Sequence, residues 1–121
     1  MKEAEQFVAV YLYRDVVDFR KSIDGLAAIV AEEMGKDAFS GSLFVFCARS
    51  RDKIKALYFD RSGFALWYKR LEEEKFIWPR DPRKHEGGVI EVTGERLRML
   101  LDGIDVWNLR PHRALSYQRI A

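Results

Sequence analysis

Basic residues occupy alternate positions in the segment ARSRDKIK, residues 48–55. Long cationic side chains that reach into water are common contacts to phosphate oxygens, so this pattern is typical of a nucleic-acid surface. A polar hairpin tip that faces only water explains the same pattern without a ligand. Further basic residues stand before the first predicted helix and in the aromatic segment 57–79. The predicted nucleic-acid-binding residues are Arg20, Lys21, Arg49, Arg51, Lys53, Lys55, Arg61, Lys69 and Arg70.

The basic charge is concentrated in the middle of the chain. The 121 residues carry a formal net charge of only +2, but residues 48–84 hold eleven basic and six acidic residues, an excess of five. Stacking on bases needs exposed rings beside such cations, whereas the rings of Phe64, Trp67 and Tyr68 are expected in the core. The charge distribution predicts a partner surface and serves nucleic acid or protein equally well.

The sequence contains no recognisable arrangement for covalent catalysis. A nucleophile needs an oriented base beside it, but His85 and His112 stand in polar segments and no G-x-S-x-G motif is present. Cys47 is the single cysteine, and it ends an apolar run, so a buried thiol is expected. Zinc needs three or four ligands from Cys and His, and no phosphate-binding glycine motif occurs. We expect no cofactor and no metal.

Carboxylates are the remaining candidates, because two-metal nucleic-acid enzymes hold several of them at one site. Asp60 is predicted at the end of a strand, and three further aspartates fall between the first strand and the first helix. No second acid on a strand accompanies Asp60 in the pattern. The sequence therefore predicts a protein that is not an enzyme.

The first half of the chain predicts a strand, a helix and a hairpin. Residues 8–14, VAVYLYR, are rich in β-branched and aromatic residues, as strands are. In residues 15–35 apolar residues recur at spacings of three and four, which indicates an amphipathic helix that stops at Gly35. The runs SLFVFC and KIKALYFD are joined by the basic segment ARSRDK, so they are predicted to form a hairpin.

The second half predicts two more helices. In residues 62–75, SGFALWYKRLEEEK, the spacing of Phe64, Trp67 or Tyr68, and Leu71 is that of one helical face. The runs FIWP and VIEV are predicted as short strands, and Thr93 is predicted to cap a last helix. The predicted fold is one α+β domain over residues 1–121, with about three helices and a small, mostly antiparallel sheet in the order β-α-β-β-α-β-β-α. Residues from about 106 to 121 are predicted to be a tail that packs on the domain or extends from it.

The composition is typical of a globular protein in an aqueous compartment. Apolar residues make up 48% of the chain and charged residues 33%. No apolar run approaches the roughly 18 residues of a membrane span, and the start, MKEAEQ, lacks the apolar stretch of a signal peptide. We expect a cytoplasmic protein that makes no membrane contact.

Three motifs resemble the TnpB-type proteins of the insertion sequence 66 family. They are D-F-R-K-x-I-D-G-L at 18–26, F-S-G-x-L-F-V-F at 39–46 and G-F-x-L-W-Y-K-R-L at 63–71. The similarity runs from about Val10 to Asp105. Proteins of this type are products of the element's second open reading frame and differ from the RNA-guided nuclease that shares the label. The chain departs from the family pattern at Phe19, Ala38 and Arg61, and none of these changes removes a functional group.

The resemblance implies a non-catalytic accessory protein of bacterial insertion-sequence transposition. Its implied partners are a separate, larger transposase and other accessory proteins of the same element, and a homo-oligomer is left open. The main prediction is that the protein assists the transposase by binding DNA at the element ends. The alternative is a protein-interaction module that binds the transposase without DNA contact.

Overall fold

A five-stranded mixed sheet, with strand order β4-β3-β2-β1-β5, organises the computed structural model. The structure describes residues 3–79 and 88–108. Within these ranges the strands are β1 (Val10–Tyr13), β2 (Leu43–Cys47), β3 (Lys53–Asp60), β4 (Gly63–Arg70) and β5 (Val89–Val92). The helices in the same ranges are α1 (Ile23–Glu32) and α2 (Gly94–Leu101), and a short 3-10 helix spans Ala4–Gln6.

The sheet contains one parallel pair, which α1 connects. β1 and β2 run parallel, while β3 pairs with β2, β4 with β3 and β5 with β1 in antiparallel registers. A further parallel bridge between Val17 and Ala48 continues the β1–β2 pair beyond both strands. A parallel pair needs a long crossover connection, which here contains α1. The chain leaves β1 at the end of the sheet where β2 also finishes, so the segment between β1 and α1 lies at that end.

The two faces of the sheet carry separate apolar clusters. α2 and the 3-10 helix cover one face, the α2 face. Its α2 cluster includes the buried residues Leu12, Val45, Ile54, Leu97 and Leu100. α1 covers the other face, the α1 face, and its α1 cluster includes the buried residues Leu26, Val30, Phe44, Phe46 and Leu57. β2 is buried at all five positions, because it lies in the middle of the sheet and has a cluster on each face.

Both predicted helix ends agree with the structure. Gly35 has φ +64 just after α1, a left-handed conformation that glycine adopts without strain. It turns the chain so that the N–H of Lys36, the next residue, donates to the Val30 carbonyl at 3.0 Å. At α2 the Thr93 hydroxyl accepts a hydrogen bond from the Arg96 N–H at 3.1 Å, which is the predicted cap.

The predicted helix over residues 62–75 is wrong. Residues 63–70 form β4, which pairs with β3 from Asp60↔Gly63 to Lys53↔Arg70 without interruption. Phe64 consequently faces the α1 cluster and Trp67 the α2 cluster, because side chains three apart on a strand lie on opposite faces. Trp67 is half-buried. Phe64, Trp67 and Leu71 have helical spacing by chance, because this strand carries apolar residues on both of its faces.

The predicted fold class is therefore wrong in its helix number and order. The described chain has two α-helices and a mixed sheet of five strands, where about three helices and a β-α-β-β-α-β-β-α order were expected. The run FIWP forms no strand. Its Phe76 and Trp78 are buried, and the Trp78 Nε1–H donates to the carbonyls of Tyr13 at 3.1 Å and Arg14 at 3.0 Å.

Most of the predicted tail, from about residue 106 to 121, lies outside the described residues. Its first residues pack on the domain, since Val106 is 1% exposed and the Trp107 Nε1–H donates to the Ile77 carbonyl at 2.6 Å. The assignment of residues 1–121 to one domain stays a prediction. Among the described residues no helix is long and apolar enough to cross a membrane.

Candidate nucleic-acid interface

Among the described residues, seven basic side chains are grouped at the end of the sheet where the parallel strands β1 and β2 finish. The β2–β3 loop and the start of β3 lie there, and β4 ends there because Lys53 pairs with Arg70. The segment between β1 and α1 joins this end through the hydrogen bond from the Val17 N–H to the Cys47 carbonyl, at 3.0 Å. We name this surface the basic end, and its members are Arg14, Arg20, Lys21, Arg49, Arg51, Lys53 and Arg70.

The tip of the basic end is the five-residue loop between β2 and β3, residues 48–52. The N–H of Arg51 donates to the Ala48 carbonyl at 2.9 Å, and the N–H of Ala48 donates to the Lys53 carbonyl at 3.1 Å, so a tight turn closes the hairpin. Arg49 is exposed at this turn. It lines an open groove of about 580 Å³ between the loop and residues 16–19. The loop thus presents Arg49 to solvent above a concave surface.

Arg51 has the most constrained backbone of the loop. Its φ is +62, a left-handed conformation that costs residues other than glycine free energy. Its carbonyl accepts from the Phe76 N–H at 2.7 Å, which fixes the chain after β4 against the loop. The Nε atom is buried and has no hydrogen-bond partner among the described residues. The side chain is half-buried, so Arg51 is less available than Arg49.

Lys55, a member of the predicted set, is occupied inside the protein. Its side chain is on the α1 face and the residue is only 8% exposed. The Nζ atom donates to the carbonyls of Phe19 at 2.9 Å and Lys21 at 2.8 Å, and it lies 4.9 Å from the centroid of the Phe19 ring. Burial lowers the pKa of this ammonium. Lys55 therefore holds the segment before α1 in place and does not reach the surface.

Four of the basic residues have acidic partners close in sequence. The ion pairs are Arg14–Asp15 at 3.3 Å, Arg20–Asp18 at 2.5 Å, Lys53–Asp52 at 3.3 Å and Arg70–Glu72 at 3.0 Å. The hydrogen bonds from Arg20 lower the pKa of the Asp18 carboxyl to about 2. The Arg20 and Arg70 pairs are exposed, whereas Arg14 and Lys53 are half-buried. Exposed ion pairs contribute little to stability, so Arg20 and Arg70 can exchange a carboxylate for a phosphate at low cost.

Lys21 and Arg49 are exposed, and neither has an ion-pair partner among the described residues. Arg20 has a side chain that is 91% exposed beside them. These three cations of the predicted set are exposed together at the basic end, beside the loop and the start of α1. Arg14 belongs to the same surface but was not among the predicted residues. Its position at the end of the run VAVYLYR is the sequence signal that could have identified it, because that run was predicted as a strand.

Besides Lys55, two predicted residues are not members of the basic end. Arg61 is exposed in the turn between β3 and β4, at the opposite end of the sheet, with φ +55. Lys69 is on the α2 face, where its Nζ donates to the Leu101 carbonyl at 3.3 Å. A cation at the C-terminus of a helix interacts favourably with the helix dipole, so Lys69 has a structural role in docking α2.

The candidates for chemistry are dispersed or buried. Cys47 is fully buried, and burial raises the pKa of its thiol to about 12. Among the residues described, no group of three or more His, Cys, Asp and Glu side chains is arranged to hold a metal ion. Asp60 lies at the end of β3, in the turn that carries Arg61. His85 and His112 lie outside the described residues.

In segment 57–79 some aromatic side chains are buried in the core and others are exposed. Trp78 and Phe76 are buried, Phe64 and Trp67 are half-buried, and Tyr68 is 48% exposed. The Tyr68 ring packs against Phe19, with centroids 6.1 Å apart. The described rings are therefore mainly structural, and phosphate contact is the chemistry that the basic end offers.

Comparison with known proteins gives a consistent family. Residues 8–111 match the family model described as IS66 Orf2 like protein. Two similar proteins of Sinorhizobium fredii (strain NBRC 101917 / NGR234) are "Uncharacterized protein y4jC" and "Uncharacterized protein y4hO". The first is 38% identical over 89 residues, which cover 74% of this chain and 73% of the relative. The second is 35% identical over 105 residues, which cover 87% and 88% respectively. No solved structure matches the chain.

Proposed function

The chain belongs to the IS66 Orf2 like family, whose role is accessory to insertion-sequence transposition, and on that premise we propose that it assists the element's separate transposase by binding DNA through the basic end. The observation that carries this proposal is the exposure of Arg20, Lys21 and Arg49 at one end of the sheet. Phosphate oxygens are the groups that such cations contact.

The proposed contact is to the DNA backbone and has little sequence preference. Backbone contacts fix the position of a protein on DNA but do not read the bases. The three cations belong to loops, Arg20 and Lys21 before α1 and Arg49 after β2. Sequence specificity is then left to the transposase, and the accessory protein adds affinity and orientation to the complex. We propose no catalytic role for it.

A titration of labelled duplex carrying the element end tests the proposal, with and without the transposase. The wild-type protein is compared with the triple variant Arg20→Ala/Lys21→Ala/Arg49→Ala and with Arg61→Ala, which removes a cation from the opposite end of the sheet. We expect wild type and Arg61→Ala to bind DNA and the triple variant to lose most of its affinity. Equal DNA affinity in all three proteins contradicts the proposal.

A second candidate function is binding of the transposase without DNA contact. The observation that favours it is the set of four local ion pairs, which partly neutralises the basic end. In this case the purified protein does not bind duplex DNA at low salt, but it still associates with the transposase. The DNA titration without transposase separates the two functions. The first function predicts DNA binding that is lost in the triple variant, whereas the second predicts no DNA binding by the wild-type protein.

A further inference from the structure

The outer edge of β4 has backbone groups that no described strand pairs. β4 is the terminal strand of the sheet, and β3 is its neighbour on the inner side. The Leu71 N–H donates to the Asp52 carbonyl at 2.7 Å, and bonding in an antiparallel pair alternates along the strand. Ala65, Trp67 and Lys69 therefore bond inward to β3. The N–H and C=O groups of Phe64, Leu66 and Tyr68 point outward.

The β4 edge lacks the features that usually prevent edge strands from pairing. Proteins protect such edges with proline, bulges or charged side chains. β4 spans eight residues, and its first six, Gly63 to Tyr68, contain no proline and no charge. The register with β3 is continuous, so no bulge twists the strand away. This edge is a template for another strand.

Exposed aromatic residues flank the β4 edge on its α1 face. Phe39 is 62% exposed and Tyr68 is 48% exposed. The Phe39 ring packs on Phe64, with centroids 5.1 Å apart, so one exposed ring lies near each end of the uncharged stretch. Large apolar side chains in water at the border of an unpaired strand are typical of an interaction surface.

We propose that β4 pairs antiparallel with β4 of a second copy of this chain, with Leu66 on the two-fold axis. In this register Phe64 faces the partner's Tyr68, so two rings meet on the α1 face. Ala65 faces the partner's Trp67, so a small residue meets a large one on the α2 face. Each pair occurs twice, since a two-fold interface is self-complementary.

Charge complementarity favours this register and a second copy of the chain as the partner. Gly63 then faces the partner's Lys69. Gly63 also pairs with Asp60 in the same molecule, and a Cβ atom added at Gly63 would meet nothing within 4 Å. In the dimer the partner's Lys69 exchanges the Leu101 carbonyl of its own chain, which lies 3.3 Å from its Nζ, for the Asp60 carboxylate. It reaches that carboxylate across this open position, and the carboxylate has no partner among the described residues. A register centred on Trp67 places Lys69 opposite Ala65 and loses this ion pair.

The first test is the mass of the full-length protein by sedimentation equilibrium over a concentration series. We expect the mass to rise from 14.2 kDa towards twice that value, and a mass of one chain at every concentration overturns the proposal. Hydrogen exchange on the same samples shows whether the β4 edge forms the interface. The amides of Phe64, Leu66 and Tyr68 should gain protection as concentration rises, and association without that protection contradicts a β4 interface.

Two substitutions at Leu66 separate its backbone from its side chain. Leu66→Pro removes an outward N–H, a position where edge strands tolerate proline, while Leu66→Ala keeps the N–H and shortens the side chain. We expect Leu66→Pro to remain a monomer with a native circular dichroism spectrum and Leu66→Ala to associate more strongly than Leu66→Pro. Equal association of both variants contradicts backbone pairing at this edge.

A charge cycle tests the register and remains informative if Leu66→Pro fails to fold. Lys69→Asp and Asp60→Lys should each weaken the dimer about tenfold, equivalent to roughly 1.4 kcal/mol. The double variant restores the attraction with the charges exchanged, so its dimer should be tighter than that of either single variant. If the losses in dimer affinity of the two single variants simply add in the double variant, the proposed contact is overturned.

Discussion

At the scale of single residues, alternate cations in one segment have different roles. Lys53 and Lys55 are two apart on β3, but only Lys55 is covered by Phe19 and by the carbonyls before α1. The sequence predicted the loop and its exposed Arg49 correctly, because turns between strands lie on the surface. It could not show that Lys55 is buried, since the groups that cover Lys55 are 34 and 36 residues away.

Replacement of Lys55 tests its structural role. Lys55→Met leaves the carbonyls of Phe19 and Lys21 without a donor, so we expect a loss of about 1–3 kcal/mol in the free energy of unfolding. The matched control is Lys53→Met, which removes a half-buried ion pair between neighbouring residues and should cost roughly 0–1 kcal/mol. Urea unfolding measures both. Equal stability of the two variants contradicts the role assigned to Lys55.

The left-handed backbone of Arg51 gives a second prediction. Arg51→Gly removes the steric cost of φ +62, whereas Arg51→Ala removes the side chain and keeps that cost. We expect the glycine variant to be more stable than the alanine variant by about 1–2 kcal/mol. Thermal and urea unfolding of the pair give the difference. An alanine variant that is as stable as the glycine variant shows that the loop does not hold Arg51 in this conformation.

Asp18 gives a prediction about pH. Hydrogen bonds from the Arg20 side chain and then from its backbone N–H lower the pKa of this carboxyl from 3.8 to about 2. A lowered pKa in the folded protein means that the contribution to stability is present above pH 3.8 and is lost as pH falls through about 2. NMR titration of the carboxyl carbon should show the low midpoint, and Arg20→Gln should raise it. A midpoint that Arg20→Gln leaves unchanged contradicts the assignment.

At the scale of elements, the sequence predicted the central part of the fold better than its edge. β1, β2, β3, α1 and α2 follow from apolar periodicity and from the turn and capping residues around them. β4 was predicted as a helix, because its apolar residues serve two cores and so do not alternate with polar ones. Its strand conformation depends on residue-by-residue pairing with β3. Such pairing is a property of the assembled sheet and leaves no local pattern.

Trp78 tests how the segment after β4 is held at the basic end. Trp78→Phe keeps an aromatic ring in the core but removes the N–H that bonds the carbonyls of Tyr13 and Arg14. We expect the free energy of unfolding to fall by about 1–3 kcal/mol. Trp67→Phe is the control, because the structure assigns no hydrogen bond to that ring, and it should cost less. A larger loss in Trp67→Phe than in Trp78→Phe contradicts this account.

At the scale of the whole molecule, the basic end and the uncharged stretch of the β4 edge, residues 63–68, are neighbouring surfaces that Arg70 joins. The basic end lies where β4 finishes, and Arg61 lies where β4 begins. Antiparallel pairing of two β4 strands therefore places the two basic ends at opposite ends of the joined sheet. The two proposals together predict a dimer that holds two DNA segments apart, one at each basic end.

The central claim, that the basic end contacts DNA phosphates, is tested most directly by the salt dependence of binding. Three contacts, from Arg20, Lys21 and Arg49, predict a slope of log K against log salt of about −2.7 on duplex DNA. Arg49→Ala should reduce the magnitude of the slope by about 0.9, and Arg61→Ala, the same change of charge at the opposite end of the sheet, should leave it unchanged. No binding at low salt, or an equal reduction in both variants, would contradict the claim.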